Sequence, residues 1–295
     1  MRFLIIGSKG FVGSACVGYF SANSDVKGAD VVESSDDNYF RITDSNSLAE
    51  LFSENSFDVC INASGSANVG FSFSDPGKDR ELNVGNVERM LEAIMQNQPR
   101  CRFINFSSAA VYGDPVQLPI SEKAELKPLS PYGEHKLRSE RLLLEYANMG
   151  MKTCSLRVFS AYGPGIRKQL FWDLYSKARS SRIVTLYGTG DESRDFIYID
   201  DLVRGINIVV EKGSFNGEAI NLSSGTETTI RRAATLFLEE LGGNNELEFT
   251  GEEKKGDPKN WRADIGLISS MGFRNRISIE EGISAVVRSY LPVSI

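Results

Sequence analysis

Six residues into the chain, the apolar run Phe3-Leu4-Ile5-Ile6 breaks at Gly7, and glycines recur at Gly10 and Gly13. An apolar-periodic stretch follows at once, so the spacing predicts a strand, a tight turn and a helix. Glycines at these three places permit the turn, let a bound group approach the backbone, and allow helix and strand to pack closely. Lys9 lies in the turn, and Phe11 and Val12 stand between its second and third glycines. Free N–H groups at such a helix start attract phosphate, so the unit points to a dinucleotide whose pyrophosphate rests there. A Gly-rich turn without a ligand is the alternative, and the strand–turn–helix context argues against it.

The rest of the N-terminal half continues this alternation of short apolar runs and amphipathic stretches, as in a parallel sheet wrapped by helices. Strands are expected at Phe3–Ile6, Asp25–Ala29, Val59–Asn62, Arg102–Ser107 and Thr153–Val158. Helices are expected near Val12–Ser21, Ser47–Asn55, Asn83–Gln96 and Tyr132–Met149. The fold class is therefore α/β, a Rossmann-type doubly wound parallel sheet. Residues 1–160 form the dinucleotide-binding domain, with a late strand near Ala219–Leu222 rejoining its sheet. Residues 161–295 mostly form a smaller substrate-binding lobe, with helices around Phe171–Ala178, Ile230–Leu241 and Ile279–Tyr290. These pieces are too small for a core of their own and belong over the carboxyl ends of the strands, where ligands bind in open α/β sheets.

Charge and composition narrow the partners. A net charge of -6 argues against a nucleic-acid surface, which needs a basic field. No apolar run approaches the ~18 residues of a membrane span, and the opening run is far too short for a secretion signal. Cys16, Cys60, Cys101 and Cys154 are scattered without metal or redox spacing, and His135 is the only histidine, so no metal site is expected. A cytoplasmic protein with reduced, buried thiols fits these features.

Asp30 stands at the end of the second strand, about twenty residues after the glycines, where a carboxylate accepts from ribose hydroxyls and repels a 2′-phosphate. That favours NAD. Lys9 and Arg41 pull the other way, because either could reach a 2′-phosphate, so NADP stays open.

Tyr132 and Lys136 are four residues apart, on one face of a predicted helix. A free phenol, with a pKa near ~10, is a poor base at neutral pH. A nearby ammonium and a positive nicotinamide both favour the phenolate, which then takes a hydroxyl proton as hydride leaves the same carbon. Ser108 follows an apolar strand at its carboxyl end and can hold the reacting oxygen against the phenol. Ser107 fits better as a serine that satisfies local backbone.

Taken in order, these motifs resemble the extended short-chain dehydrogenase/reductases, and within them the NAD-dependent nucleotide-sugar epimerase/dehydratase family. The resemblance covers nearly the whole chain: the glycine motif, Asp58–Gly65, Asn83-Val84, Ser108–Gly113, Tyr132–Lys136, Leu156–Pro164, Arg194–Leu202, Gly256-Asp257 and Ala263-Asp264. It implies Ser108, Tyr132 and Lys136 as the catalytic set, with Lys136 also holding the nicotinamide ribose. It implies Asn83 near the nicotinamide, Ala63, Ser64 and Gly65 beside the pyrophosphate, and Arg194 on the diphosphate of the sugar substrate. Lys254 stands where a second phosphate-binding arginine is usual, and Ser160 replaces a substrate-binding asparagine. It also implies a homodimer formed through the Asn83–Gln96 and Tyr132–Met149 helices, to which Leu137, Leu142 and Leu144 could contribute unless the monomer buries them.

Departures from the family pattern bear on the reaction. Dehydratases carry an Asp-Glu pair where this chain has Ala109 and Ala110, which transfer no protons, so 4,6-dehydration is not expected. A lysine of some galactose epimerases is Ala67 here, and an acidic residue near the adenine is Arg41. The reading is C4 epimerisation of a nucleotide-diphosphate sugar through a transient 4-keto sugar. A 4-keto-sugar reductase using NAD(P)H is the alternative, and the same three residues serve it. A non-catalytic NAD(P)-sensing regulator is a third reading, opposed by the presence of both Tyr132 and Lys136. Arg167, Lys168, Gln169 and Trp172 are further pocket candidates.

Overall fold

The structure is a computed structural model and describes residues 1–44 and 47–291. Its strands run β1 (Arg2–Ile6), β2 (Asp25–Asp30), β3 (Tyr39–Arg41), β4 (Val59–Asn62), β5 (Arg102–Ser108) and β6 (Lys152–Val158). Then come β7 (Ser160–Tyr162), β8 (Ile183–Leu186), β9 (Ser193–Tyr198), β10 (Asn216–Leu222), β11 (Glu227–Thr229) and β12 (Glu246–Phe249). The first helices are α1 (Phe11–Phe20), α2 (Ser47–Glu54), α3 (Val69–Ser74), α4 (Pro76–Arg80), α5 (Asn86–Asn97) and α6 (Pro131–Asn148). They are followed by α7 (Gln169–Ser180), α8 (Ile199–Lys212), α9 (Ile230–Leu241), α10 (Gly266–Ser270) and α11 (Ile279–Tyr290).

Seven strands pair in the order β10-β6-β5-β4-β1-β2-β3, every neighbour parallel. Parallel strands need crossovers, and helices in the crossovers cover both faces of the sheet. β1 shows the consequence residue by residue. Phe3 and Ile5 pack into a cluster with Cys16 of α1 and Val209 of α8, whereas Leu4 and Ile6 pack with Leu51 of α2, Leu91 of α5 and Leu143 of α6. Each such fully buried side chain stabilises the fold by roughly 1.5–3 kcal/mol before entropic costs.

The first cluster does not end at the sheet. Phe171 and Leu174 of α7, Phe237 of α9 and Val286 of α11 belong to it. Two small sheets, β11-β9-β7 and β12-β8, complete the C-terminal part. The expected late strand is β10, which extends the main sheet beside β6.

Two local departures from expectation have physical reasons. β3 is only three residues long and lies at the sheet edge, paired to β2 alone, too short for a periodicity to register. The helix expected from Asn83 begins instead as a π turn over Glu81–Gly85, and α5 continues it from Asn86. A π turn widens the backbone ladder locally, and such turns concentrate at functional sites.

Candidate active site

The glycine turn lies at the carboxyl end of β1, where chain connections leave the sheet in opposite directions toward β2 and β4. Gly7 has φ +80, and its N–H donates to Ala29 O at 2.8 Å. A Cβ on Gly13 would lie 2.0 Å from Gly7 O, so α1 rests directly on the turn and no side chain fits between them. The N-cap of α1 is Gly10, which offers no side-chain acceptor, and the first turn holds no acidic residue. Its N–H groups are thus left for an anion.

Asp30 is pinned next to this turn. Its carboxylate accepts from Lys9 N at 2.9 Å and from Val31 N at 2.7 Å. The two cations that would suit a 2′-phosphate are both engaged: the Lys9 ammonium pairs with Asp36, and Arg41 Nη1 pairs with Glu33 at 2.5 Å. The segment after β2 therefore presents carboxylates around Asp30 and neutralises the cations beside it.

Ser108 ends β5 and caps a short 3₁₀ turn (Ala109–Val111), its Oγ accepting from Ala110 N at 3.1 Å. Ser107 donates instead to the buried Glu140 carboxylate at 2.5 Å. α6 starts opposite this turn. Ser130 caps it by accepting from Gly133 N at 3.2 Å, and Pro131 occupies the first helical turn. A Cβ on Gly133 would come within 2.6 Å of Ala110 O, so the missing side chain is what lets α6 meet the 3₁₀ turn. Tyr132 is thereby brought to Ser108.

Tyr132 and Lys136 are both buried. Burial pushes the Tyr132 phenol up to about 12, with Asp79 adding to the rise and the neighbouring Ser108 hydroxyl opposing it. Burial lowers Lys136 to about 8, against the raising effect of Asp79 and Glu140. Lys136 Nζ donates to Phe106 O at 2.9 Å and stands 5.8 Å from the centre of the Tyr132 ring. Among these groups burial dominates the phenol, and the Lys136 ammonium is turned toward the Phe106 carbonyl.

One cavity of about 1850 Å³ reaches Ser108, Tyr132 and Lys136. It also reaches Gly7, Lys9, Gly10, Phe11, Val12, Asp30, Ala63, Ser64, Gly65, Ser160, Arg194 and Lys254. A pocket for one small ligand is typically ~300–1,000 Å³, so this space suits a dinucleotide and a second sizeable molecule together. Gly13 lies beneath the turn and Asn83 behind Gly65; neither is on the cavity wall. Ser64 is held by Asn62, whose Oδ1 accepts from Ser64 Oγ at 2.6 Å.

Arg194 is buried apart from 13% of its side chain. Its Nη1 donates to Ser193 O at 2.8 Å, Nη2 lies 3.7 Å from Asp257, and the guanidinium sits 5.5 Å from the Trp261 ring centre. Burial lowers its pKa, though a guanidinium stays charged. Next to it, Asp195 is fully buried and accepts from Ser223, Ser224, Gly225 and Ala263, which locks the strand that carries Arg194. Lys254 is exposed on its loop, and Lys168 and Gln169 line the cavity. Arg167 stacks 5.3 Å over Trp172 and lines an adjoining recess instead.

Reading the sequence misses several wall residues. Asp114, Tyr187 and Trp261 line the cavity but sit in irregular segments with no motif spacing. Trp261 has a structural hold as well, its Nε1 donating to Gly113 O at 3.0 Å. Ala109 is fully buried and Ala110 lines the cavity, so no acid or base stands at either place.

The strand order β3-β2-β1-β4-β5-β6, with a glycine turn at the end of β1, defines a Rossmann-type protein. More narrowly, the chain belongs to the NAD dependent epimerase/dehydratase family, whose model matches residues 3–223. It is 34% identical over 205 residues to an uncharacterized UDP-glucose epimerase of Bacillus subtilis (strain 168). That match spans 68% of this chain and 64% of the relative, just under two thirds of the relative's length. A UDP-glucose 4-epimerase of Mycolicibacterium smegmatis is 28% identical over 98% of each chain. The crystal structure of UDP-glucuronic acid 4-epimerase from Bacillus cereus, in complex with UDP-glucuronic acid and NAD, is similar with a TM-score of 0.89. It is 26% identical, and the similarity covers 98% of both chains.

Proposed function

We propose that this protein is an NAD-dependent 4-epimerase of UDP-sugars. The observation that carries the reading is that Ser108, Tyr132 and Lys136 open onto one cavity together with the glycine turn and Arg194. Relatives of both kinds described above are named as UDP-sugar epimerases, and the Bacillus cereus structure holds NAD. The glycine turn, the free helix start and Asp30 fit NAD, and the pairing of Lys9 and Arg41 with carboxylates disfavours a 2′-phosphate.

In this reading Tyr132 removes the proton of the sugar C4 hydroxyl and later returns it. NAD, when bound, would supply reversible hydride exchange at that sugar carbon and a positive charge favouring the phenolate. Ser108 donates to the reacting oxygen, keeping the hydrogen bond it accepts from Ala110. Lys136 holds the nicotinamide ribose. Arg194, with Lys254 as a weaker partner, grips the diphosphate with several fixed donors. Ala109 and Ala110 offer no group to expel water, so the site stops at hydride and proton exchange.

The same proposal includes a homodimer formed through α5 and α6, and a cytoplasmic site of action. Leu137 and Leu142 are buried within the monomer, which leaves Leu144, 48% exposed, as the available leucine of the three. Among the described residues no helix is long and apolar enough to cross a membrane.

The test is mass spectrometry of the purified protein for retained dinucleotide, followed by UDP-galactose turnover without added reductant. Retained NAD and interconversion with UDP-glucose are expected, with Tyr132→Phe slowing turnover by about 10²–10⁴-fold. An undiminished Tyr132→Phe variant, or a strict need for stoichiometric NADPH, would reject the epimerase reading.

A further inference from the structure

Behind the cavity wall lies a buried charged cluster that the reaction above does not use. Asp79 of α4 is fully buried, and its Oδ2 lies 2.7 Å from Nδ1 of His135, the chain's only histidine. Its other oxygen accepts from Asn83 Nδ2 at 3.2 Å, in the π turn. Asn83 is itself buried, and its Oδ1 has no partner among the described residues. That oxygen is set against Gly65, where an added Cβ would fall 2.7 Å from it. Gly65 lines the cavity, so Asn83 is the layer immediately behind the wall.

His135 is placed between the two residues that matter most. It follows Tyr132 by three positions and directly precedes Lys136 on α6. The Asp79 carboxylate acts on both, raising the phenol's pKa and raising that of the ammonium. Few other charges compete there. α4 packs against α3, the π turn and α6. α3 carries no titratable side chain, and the π turn carries Glu81, which is paired with Arg89. On α6, Glu134, Arg138 and Arg141 are exposed, while the buried Glu140 also raises Lys136 but is paired with Arg157; on α4, Lys78 and Arg80 are exposed.

We propose that Asp79 and His135 form a positioning pair, in which His135 holds the Asp79 carboxylate so that it orients Asn83 behind Gly65 and sets the electrostatic environment of Tyr132 and Lys136. The pair touches neither substrate nor cofactor and acts through these residues. A buried carboxylate without its donor is strongly unfavourable, which explains why a histidine occupies a half-buried place on α6. The inference rests on the reading of Tyr132 as the proton-transfer residue.

The experiment compares Asp79→Asn, His135→Asn and His135→Ala with the wild type and with Tyr132→Phe. Each holoenzyme is assayed on UDP-galactose for kcat, KM and the pH profile of kcat, with Tm as the control for folding. Asp79→Asn removes the charge that raises the phenol's pKa, so the acid limb moves to lower pH by about one unit. Its kcat falls about tenfold through misorientation of Asn83, with KM for the sugar within about threefold. His135→Asn keeps a donor at the Nδ1 position and retains the wild-type profile, whereas His135→Ala lowers kcat about tenfold. If Asp79→Asn does not fold, the two histidine variants decide: rescue by Asn over Ala supports the pair. Wild-type rate and profile in His135→Ala, or a change in Tm alone in Asp79→Asn, would overturn it. An active Tyr132→Phe would instead reject the epimerase reading, so the two failures are distinguishable.

Discussion

Lys136 shows how the demands of the site and of the fold conflict at a single residue. Its ammonium is buried and held at about 8, below the ordinary lysine value, because desolvation disfavours the charge. In the unfolded chain the same group titrates near ~10.4. Between these values the unfolded state binds a proton that the native state lacks, so stability rises with pH across that window, and the full penalty is present below it. Tyr132 acts oppositely at higher pH, since its native phenol keeps its proton up to about 12. Lys136→Met should therefore abolish turnover yet raise stability at pH 7 by on the order of 2 kcal/mol, the lost bond to Phe106 O offsetting part of the gain. Urea unfolding of both proteins at pH 7 and pH 9.5 checks this, and their difference should shrink at the higher pH. A variant less stable than wild type at pH 7 would contradict it. The spacing of Tyr132 and Lys136, one helical turn apart, made them neighbours on one helix face, and it was the resemblance of the ordered motifs that marked them as a pair. Asp79 and His135 lie 56 positions apart, and nothing local marks them as partners. Lys9 and Arg41 were ambiguous for the same reason, since their carboxylates come from an irregular segment.

Among the elements, α6 does the most to assemble the site. Its start is written locally, with Ser130 as cap, Pro131 in the first turn and Gly133 where the 3₁₀ turn presses in. Ser130→Ala removes the acceptor for Gly133 N and should cost about 1 kcal/mol, lowering Tm by about 2–4 °C. Calorimetry gives the shift, and an unchanged Tm would show that the cap is dispensable. The loss should also appear in kcat, because Tyr132 lies in the turn that Ser130 fixes. The long elements of the sheet and its helices were legible because β1 and β4 are buried on both faces and carry the continuous apolar runs Phe3–Ile6 and Val59–Ile61. The π turn at Glu81–Gly85 was not, since a one-residue widening leaves helical periodicity almost unchanged. Nor were the cavity walls at Tyr187 and Trp261, which long-range packing places.

At the scale of the whole molecule, the C-terminal part is bound to the sheet by a shared core. Phe3 and Ile5 of β1 lie in one cluster with Phe171, Phe237, Val286 and Val209, all from beyond residue 160. β10 also closes the open edge of β6, and Asn221 within it accepts from the Tyr112 hydroxyl at 2.6 Å. Tyr112 in turn accepts from Arg157, whose bidentate pair with Glu140 ties β6 to α6. A break at residue 160 would leave the β6 edge unpaired and one face of the sheet exposed, a condition that favours aggregation. A fragment of residues 1–160 is therefore expected not to fold alone, and the full chain to unfold in one cooperative transition. Far-UV circular dichroism and amide NMR of the fragment are the direct check. A dispersed, native-like spectrum would mean that the sheet and the first helices suffice, and that the lobe is a separate unit laid over a finished domain.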